Sequence, residues 1–315
     1  MPNLKYNVLV TGCGGDIGQS IAKILNSIKY IHKVIGTDLH EDHAGKFLVD
    51  KHLIVPRVDA QNYFATIGEI IRLNKIDIWI SASEPEIRYF TDNEKSIKKY
   101  KSKLIIASRL SRIVGFDKFK TFEFLKDNNF PFPKTFLLER NSKMALKKSI
   151  IKSRNGSGSK DIFICNQESD FNYYKKKYKN FICQEFIEST KEITCCIYKN
   201  NSVIKTILID RKLTSGYTGY GRVVHDKKIE SYLNLLAKRI KLKGSINIQL
   251  RVDKDGVPVI FEINPRFSST VLFRHLCGFK DLQWSLEDKL KIKSTSMNKK
   301  IPLVSFYKGY SEYVV

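Results

Sequence analysis

The chain has 315 residues, 42% of them hydrophobic and 11% aromatic, enough apolar material for two or three packed domains and too much for a disordered protein. It contains no run of 18 apolar residues, so no helical membrane span is expected, and its N-terminus enters a strand pattern within a few positions, which leaves no room for a signal peptide and points to the cytoplasm. Lys and Arg outnumber Asp and Glu by 55 to 32, for a net charge of +23; the basic runs at 95–103, 175–179 and 289–293 are dispersed and lysine-rich, which fits a solvated surface or an anionic small-molecule substrate better than a nucleic-acid site.

Residues 1–107 alternate strand and helix. Apolar strands are expected at 8–11, 34–37, 53–55, 76–80 and 104–107, with helical spacing at 17–28 and 63–71 and a helix over 84–100. This alternation predicts a parallel, doubly wound α/β sheet. A glycine turn, Gly12-Cys13-Gly14-Gly15-Asp16-Ile17-Gly18, joins the first strand to the first helix. Such a turn suits an anion at a helix N-terminus, or simply tight strand–helix packing. Its spacing also resembles the nucleotide-binding turn of short-chain dehydrogenases, and Tyr173-x-x-x-Lys177 has the spacing of that family's catalytic pair, although such spacing arises readily in a lysine-rich helix. An NAD(P)-dependent dehydrogenase is therefore one alternative.

From 108 onward the texture is α+β. Asp117 and Lys118 open a helical stretch that ends before Pro131 and Pro133, and Ser142 is placed to cap a helix over 143–148. A strand at 150–152 ends in Lys152, followed by a Gly/Ser segment (154–161), a returning strand (162–165) and a helix (169–178). A strand, a Gly/Ser segment and a strand make either an ordinary hairpin or a flap whose N–H groups turn toward phosphate. Strands at 181–187, 192–198 and 202–210 follow, then a glycine-rich segment, 211–222, expected to be a mobile loop. A helical stripe at 229–240 closes at Lys243-Gly244. Helices at 268–277 and 282–290 and a strand-like tail complete the chain. The six cysteines are scattered, with no C-x-x-C pair, and read as free thiols.

Between 245 and 264 two alternating stretches flank Asp253-Lys254-Asp255-Gly256, a strong hairpin signal. Gln249, Glu262 and Asn264 share the polar face. With the turn centred on Lys254 and Asp255, Gln249 lies opposite Ile260 and diagonal to Glu262, and Phe261 belongs to the apolar face. The three oxygen-bearing side chains could meet round one hard cation, or form a merely solvated face.

Taken together, Asp117-Lys118, Lys152 before the Gly/Ser segment, Gln184-Glu185-Phe186-Ile187, Glu192, and Gln249 with E-I-N-P-R-F-S at 262–268 resemble the ATP-grasp superfamily over almost the whole chain, above all stand-alone members of its carbamoyl-phosphate-synthase large-chain and biotin-carboxylase branch. The resemblance implies a Rossmann-like pre-ATP-grasp domain at 1–112, a small lobe at 113–182 and a large lobe with the metal site at 183–315. It implies that Lys118 and Lys152 hold ATP phosphates, with Ser157, Gly158 and Ser159 in a flap over them. Glu185, Phe186 and Ile187 would meet adenine, and Glu192 the ribose. Gln249, Glu262 and Asn264 would bind Mg²⁺, with Mn²⁺ as its substitute, while Arg266 steadies the transferring phosphoryl group. The implied reaction joins a small-molecule carboxylate to an amine through an acyl-phosphate and releases ADP. Arg211 and Arg222 are candidates for gripping the carboxylate, and His225 is a candidate base. Members of the family are often homodimers. Departures are Ser153 where a proline is usual, Asp161 where the flap ends in glycine, and Ser269 and Thr270 in place of small glycines. A non-catalytic nucleotide-binding module is a second alternative.

Overall fold

In the computed structural model the chain is described over residues 4–100, 102–144, 146–156, 161–189, 191–214, 217–297, 300–309 and 311–313. The N-terminal elements are β1 (Tyr6–Thr11), α1 (Asp16–Asn26), β2 (Ile31–Asp38), β3 (Lys51–Ile54), α2 (Tyr63–Leu73), β4 (Ile78–Ser81), α3 (Glu84–Asp92), α4 (Glu94–Lys98) and β5 (Lys103–Ile105). All five strands run parallel, in the order β3-β2-β1-β4-β5. Val8 and Val10 pack with Ile21, Ile24 and Leu25 of α1, whereas Leu9 and Trp79 pack with Tyr63 and Ile67 of α2. Helices therefore cover both faces, which is why these strands read as continuous apolar runs. The helix expected over 84–100 is two helices. They break at Asn93 (φ −117°, ψ 39°), whose side-chain amide donates to the Tyr89 carbonyl instead of continuing the turn.

Next come α5 (Arg109–Gly115), α6 (Lys118–Asp127), β6 (Thr135–Leu137), β7 (Ser149–Ser153), β8 (Ile162–Cys165), α7 (Glu168–Lys177) and β9 (Phe181–Glu185). The strands form a small antiparallel sheet, β6-β9-β7-β8, packed through Ile151, Cys165, Phe171 and Cys183. The division expected after residue 182 falls inside β9, which pairs as far as Glu185. No helix forms over the described part of 143–148. Ser142 closes a turn there, accepting from the Glu139 amide at 3.0 Å and donating to the Leu137 carbonyl at 3.2 Å, so it caps nothing.

The remainder comprises β10 (Glu192–Asn200), β11 (Val203–Thr214), β12 (Tyr217–Val224), α8 (Lys227–Arg239), β13 (Gly244–Val252), β14 (Pro258–Asn264), α9 (Val271–Leu276), α10 (Asp281–Leu290) and β15 (Ser305–Tyr307). An antiparallel sheet runs β14-β13-β10-β11-β12-β15, with α8 closing a core of Ile193, Cys195, Ile246, Ile248 and Leu250. The described parts of 211–222 are strand and not the loop their glycines suggest: Arg211 pairs with Gly221 and Lys212 with Tyr220 inside the β11–β12 ladder. Gly221 is small for packing, since a Cβ there would come within 2.3 Å of the Phe306 ring. The first helix after Arg266 starts only at Val271.

The β13–β14 hairpin forms with a shifted register. Leu250 pairs with Ile260, but Gln249 pairs with Glu262 and Asn247 with Asn264. Phe261 is thus the extra residue of a β-bulge, which puts it on the same side as Glu262 and leaves Ile260 and Ile263 on the core side. The expected pairing of Gln249 with Ile260, and the apolar-face placement of Phe261, are both corrected by that single inserted residue.

Candidate active site

The three sheets face a cleft of about 440 Å³. Its walls carry Lys118, Lys152, Glu185, Ile187, Glu192, Arg211, Gln249, Glu262, Asn264 and Arg266, so residues spread over 149 positions of sequence, from 118 to 266, converge on one space. Phe186 is beside the cleft rather than on its wall. Ser157, Gly158 and Ser159 lie outside the described residues. Arg222 pairs with Asp210 at 3.5 Å and His225 meets the Ile301 carbonyl at 3.1 Å, and neither lines the cleft. Nor do Tyr173 and Lys177, which hydrogen-bond to each other at 2.8 Å on the surface of α7. A dehydrogenase site therefore has no catalytic pair to draw on.

Lys118 is set by the start of α6. Asp117 caps that helix, accepting from the Phe119 amide at 2.9 Å and the Lys120 amide at 3.2 Å, and grips Arg154 through two 2.8 Å contacts. The Lys118 ammonium donates to the Gly156 carbonyl and lies 3.9 Å from Glu262. Lys152, at the end of β7, is only 5% exposed and sits 5.7 Å from the Phe261 ring centroid. Burial pushes its ammonium down to about 8; Glu262 opposes that, while Lys118 and Arg251 reinforce it. A buried ammonium that Glu262 only partly offsets suits an anionic ligand.

Glu192 opens β10 and is held by two arginines, Arg211 at 2.8 Å and Arg251 at 3.1 Å. Burial raises its carboxyl, but the two guanidinium groups outweigh burial and hold it below the usual range. Arg251 also donates to the Ile187 carbonyl at 3.2 Å and stacks over Phe186, 5.1 Å from the ring centroid. Phe186 thus braces Arg251. The amides of Glu185 and Phe186 are engaged by the Lys134 and Lys148 carbonyls, at 2.8 and 3.3 Å. Arg251 is absent from the residues the sequence singles out, yet its position two residues beyond Gln249 on the same strand face is a signal that could have marked it.

At the far end of the hairpin, Arg266 donates to Glu84 at 3.0 Å and to the Phe267 carbonyl at 3.0 Å. Glu84 begins α3, just beyond the C-terminal end of a parallel strand, where open α/β sheets place ligand-binding groups. Burial raises its carboxyl, but Arg266 and Arg88 more than offset that. The glycine turn faces the same space, with Gly12, Gly15, Asp16, Ile17 and Gly18 on the wall. Its tightness is steric, since a Cβ on Gly18 would meet the Gly12 carbonyl at 2.2 Å.

The donor set of Gln249, Glu262 and Asn264 is one carboxylate and two amide oxygens on neighbouring positions of one sheet face. Hard oxygen donors with a single sure negative charge could hold Mg²⁺ whose remaining sites are filled by phosphate oxygens and water. Five cations on the wall (Lys118, Lys152, Arg211, Arg251, Arg266) face four carboxylates (Asp16, Glu185, Glu192, Glu262), an excess suited to a polyanion.

A doubly wound parallel sheet followed by two antiparallel sheets that close on a cationic, carboxylate-bearing cleft is the architecture of an ATP-grasp protein. Sequence comparison agrees: residues 116–270 match the ATP-grasp domain family, and residues 8–105 match the N-terminal domain of PylC-like proteins. Residues 116–270 therefore belong to the ATP-grasp domain family, behind an N-terminal domain of the PylC-like kind. It is 26% identical over 254 residues to a tyramine–L-glutamate ligase of Methanocaldococcus fervens, covering 79% of this chain and 78% of that one. Among solved structures it resembles N5-carboxyaminoimidazole synthetase from Staphylococcus aureus in complex with ADP (TM-score 0.75, 16% identity, 94% of this chain and 80% of that one). It also resembles an L-amino acid ligase from Bacillus licheniformis (TM-score 0.71, 17% identity, 91% and 75%). No described helix is long and apolar enough to cross a membrane.

Proposed function

We propose that this protein joins a small-molecule carboxylate to an amine with ATP and Mg²⁺, through an acyl-phosphate, and releases ADP and phosphate. The observation that carries it is the convergence of Lys118, Lys152, Glu192, Gln249, Glu262, Asn264 and Arg266 on one cleft. In this reading Lys118 and Lys152 grip the triphosphate as point charges. The Ile187 amide and neighbouring carbonyls meet the base, and Glu192, fixed by its two arginines, receives the ribose. Gln249, Glu262 and Asn264 would hold Mg²⁺, which would supply charge neutralisation for the triphosphate. The substrate carboxylate attacks the γ-phosphorus. Arg266, aimed by Glu84, then faces the oxygens on which charge accumulates as the amine displaces phosphate.

The names of the relatives support an amino acid as the carboxylate. Arg211, committed to Glu192 by a 2.8 Å contact, is a positioning group here rather than the carboxylate clamp. In this reading the chain divides between β5, which ends at Ile105, and α5, inside which residue 112 falls, and again at the end of β9, where the small sheet ends at Glu185. A cytoplasmic location and a homodimer complete the reading.

The test is a screen of carboxylate and amine pairs for nucleotide turnover. ADP and phosphate are expected only when both partners are present. Release of AMP and pyrophosphate, or no turnover with any pair while NAD(P)H binds, would overturn it.

A further inference from the structure

Next to the glycine turn, and off the cleft wall, three side chains from three separate segments meet. Cys13 lies in the turn and is fully buried; His43 precedes the short 3₁₀ turn at 44–48; His52 lies on β3. One ligand atom from each lies within 4.8 Å of the other two. The imidazoles meet edge to face, Nε2 to Nε2 at 3.2 Å.

We infer that Cys13, His43 and His52 form a binding site for a divalent transition ion of the zinc class, independent of the Mg²⁺ seat.

Several observations converge on this. Two nitrogens bound tetrahedrally at Zn–N distances of ~2.0–2.1 Å stand about 3.3 Å apart, close to the separation found. A thiol with two imidazoles is a borderline-soft donor set that selects zinc, cobalt or copper over magnesium or calcium. Space for the cluster is provided by glycine. A Cβ on Gly14 would come within 2.7 Å of the His43 ring, and one on Gly36 within 2.8 Å of the Cys13 sulfur. Asp38, beside the cluster, is fixed by the backbone amides of Gly14 at 2.8 Å and Leu39 at 2.7 Å.

Binding forms a sulfur–metal bond as the Cys13 thiol gives its proton to solvent. The histidines bind as neutral imidazoles through their lone pairs, and nothing is oxidised. The ion would staple β3 and the segment after β2 to the glycine turn, whose next residues line the cleft.

The test is Co²⁺ titration of the chelator-treated full chain, read by absorption. Expected are ligand-field bands of tetrahedral intensity and a thiolate-to-cobalt charge-transfer band that saturates at one equivalent. The thiolate band should vanish in Cys13→Ser, weaken in affinity by at least about tenfold in His52→Gln, and persist in Glu262→Gln. Zn²⁺ should raise the melting temperature of the wild type and leave Cys13→Ser unchanged, a readout that stands even if His52→Gln folds poorly. A spectrum without a thiolate band, one that survives Cys13→Ser, or one lost with Glu262→Gln would overturn the inference.

Discussion

Gln249 stands directly opposite Glu262 across the β13–β14 hairpin, because Phe261 is an inserted residue that shifts the ladder by one. Directly opposed side chains have Cβ atoms ~4.5–5.5 Å apart, whereas diagonal ones are ~7–8 Å apart. The bulge therefore brings an amide and a carboxylate within reach of one ion. It also turns the Phe261 ring toward Lys152, so one backbone irregularity shapes both the proposed metal seat and its neighbouring cation.

Glu262→Gln removes the only carboxylate of that seat while keeping its shape. Turnover, measured as ADP release, should fall by ~10²–10³-fold, with the Mg²⁺ concentration for half-maximal rate shifted upward. Unchanged Mg²⁺ dependence would remove the metal assignment.

Lys152 gives a pH signature. Its ammonium is pushed down to about 8, so in the free enzyme it loses its proton as pH rises through that value. The value of kcat/KM for ATP, which reports the free enzyme, should fall above about pH 8. The kcat profile should stay level to higher pH, because a bound triphosphate favours the charged form. Lys152→Arg should move the descending limb upward. The stability linkage has the opposite sense. The folded pKa lies below the ordinary lysine value of 10.5, so the unfolded chain binds more protons between about pH 8 and 10.5, and this group's contribution to stability rises with pH across that window.

Arg251→Met leaves Glu192 with one arginine and removes the guanidinium over Phe186. A charge-assisted contact of ~1.5 kcal/mol corresponds to about a tenfold rise in the KM for ATP, with a smaller change in kcat. Equal losses in both parameters would place Arg251 in the chemical step instead.

Asp117→Ala strips the cap from α6 and releases Arg154. The cap alone is worth ~1–2 kcal/mol, visible as a lower melting temperature. ATP affinity should fall as well, because Lys118 is the first residue of that helix. Restoration of the melting temperature but not of ATP affinity by Asp117→Ser would separate capping from the Arg154 tie.

The parallel sheet was legible because strands buried on both faces and helices with apolar stripes leave distinct periods. The lysines and the hairpin were legible because each ends or opens an element with a clear boundary signal, Asp117 for α6 and Asp253 to Gly256 for the turn. The bulge was not, because Val257–Ile263 is apolar at nearly every position and alternation cannot tell which of Ile260 and Phe261 faces inward. Glycines misled at 211–222: Gly221 lacks a side chain to admit the Phe306 ring, a tertiary demand with no local signature. Arg211 was legible as a site residue but not in its role, since only the fold shows that it and Arg251 close on the same carboxylate from two strands.

The Arg266–Glu84 contact joins the last residues of the hairpin to the first helix after β4, 182 positions away in sequence. The arginine proposed to face the transferring phosphoryl group thus takes its aim from the helix that follows β4 of the N-terminal sheet. Recombination that exchanges residues 1–112 for those of a relative would carry away the carboxylate that orients it. A chimera lacking an acidic group at position 84 could still fold and hold nucleotide, yet turn over poorly, so the two halves of this chain are constrained to change together.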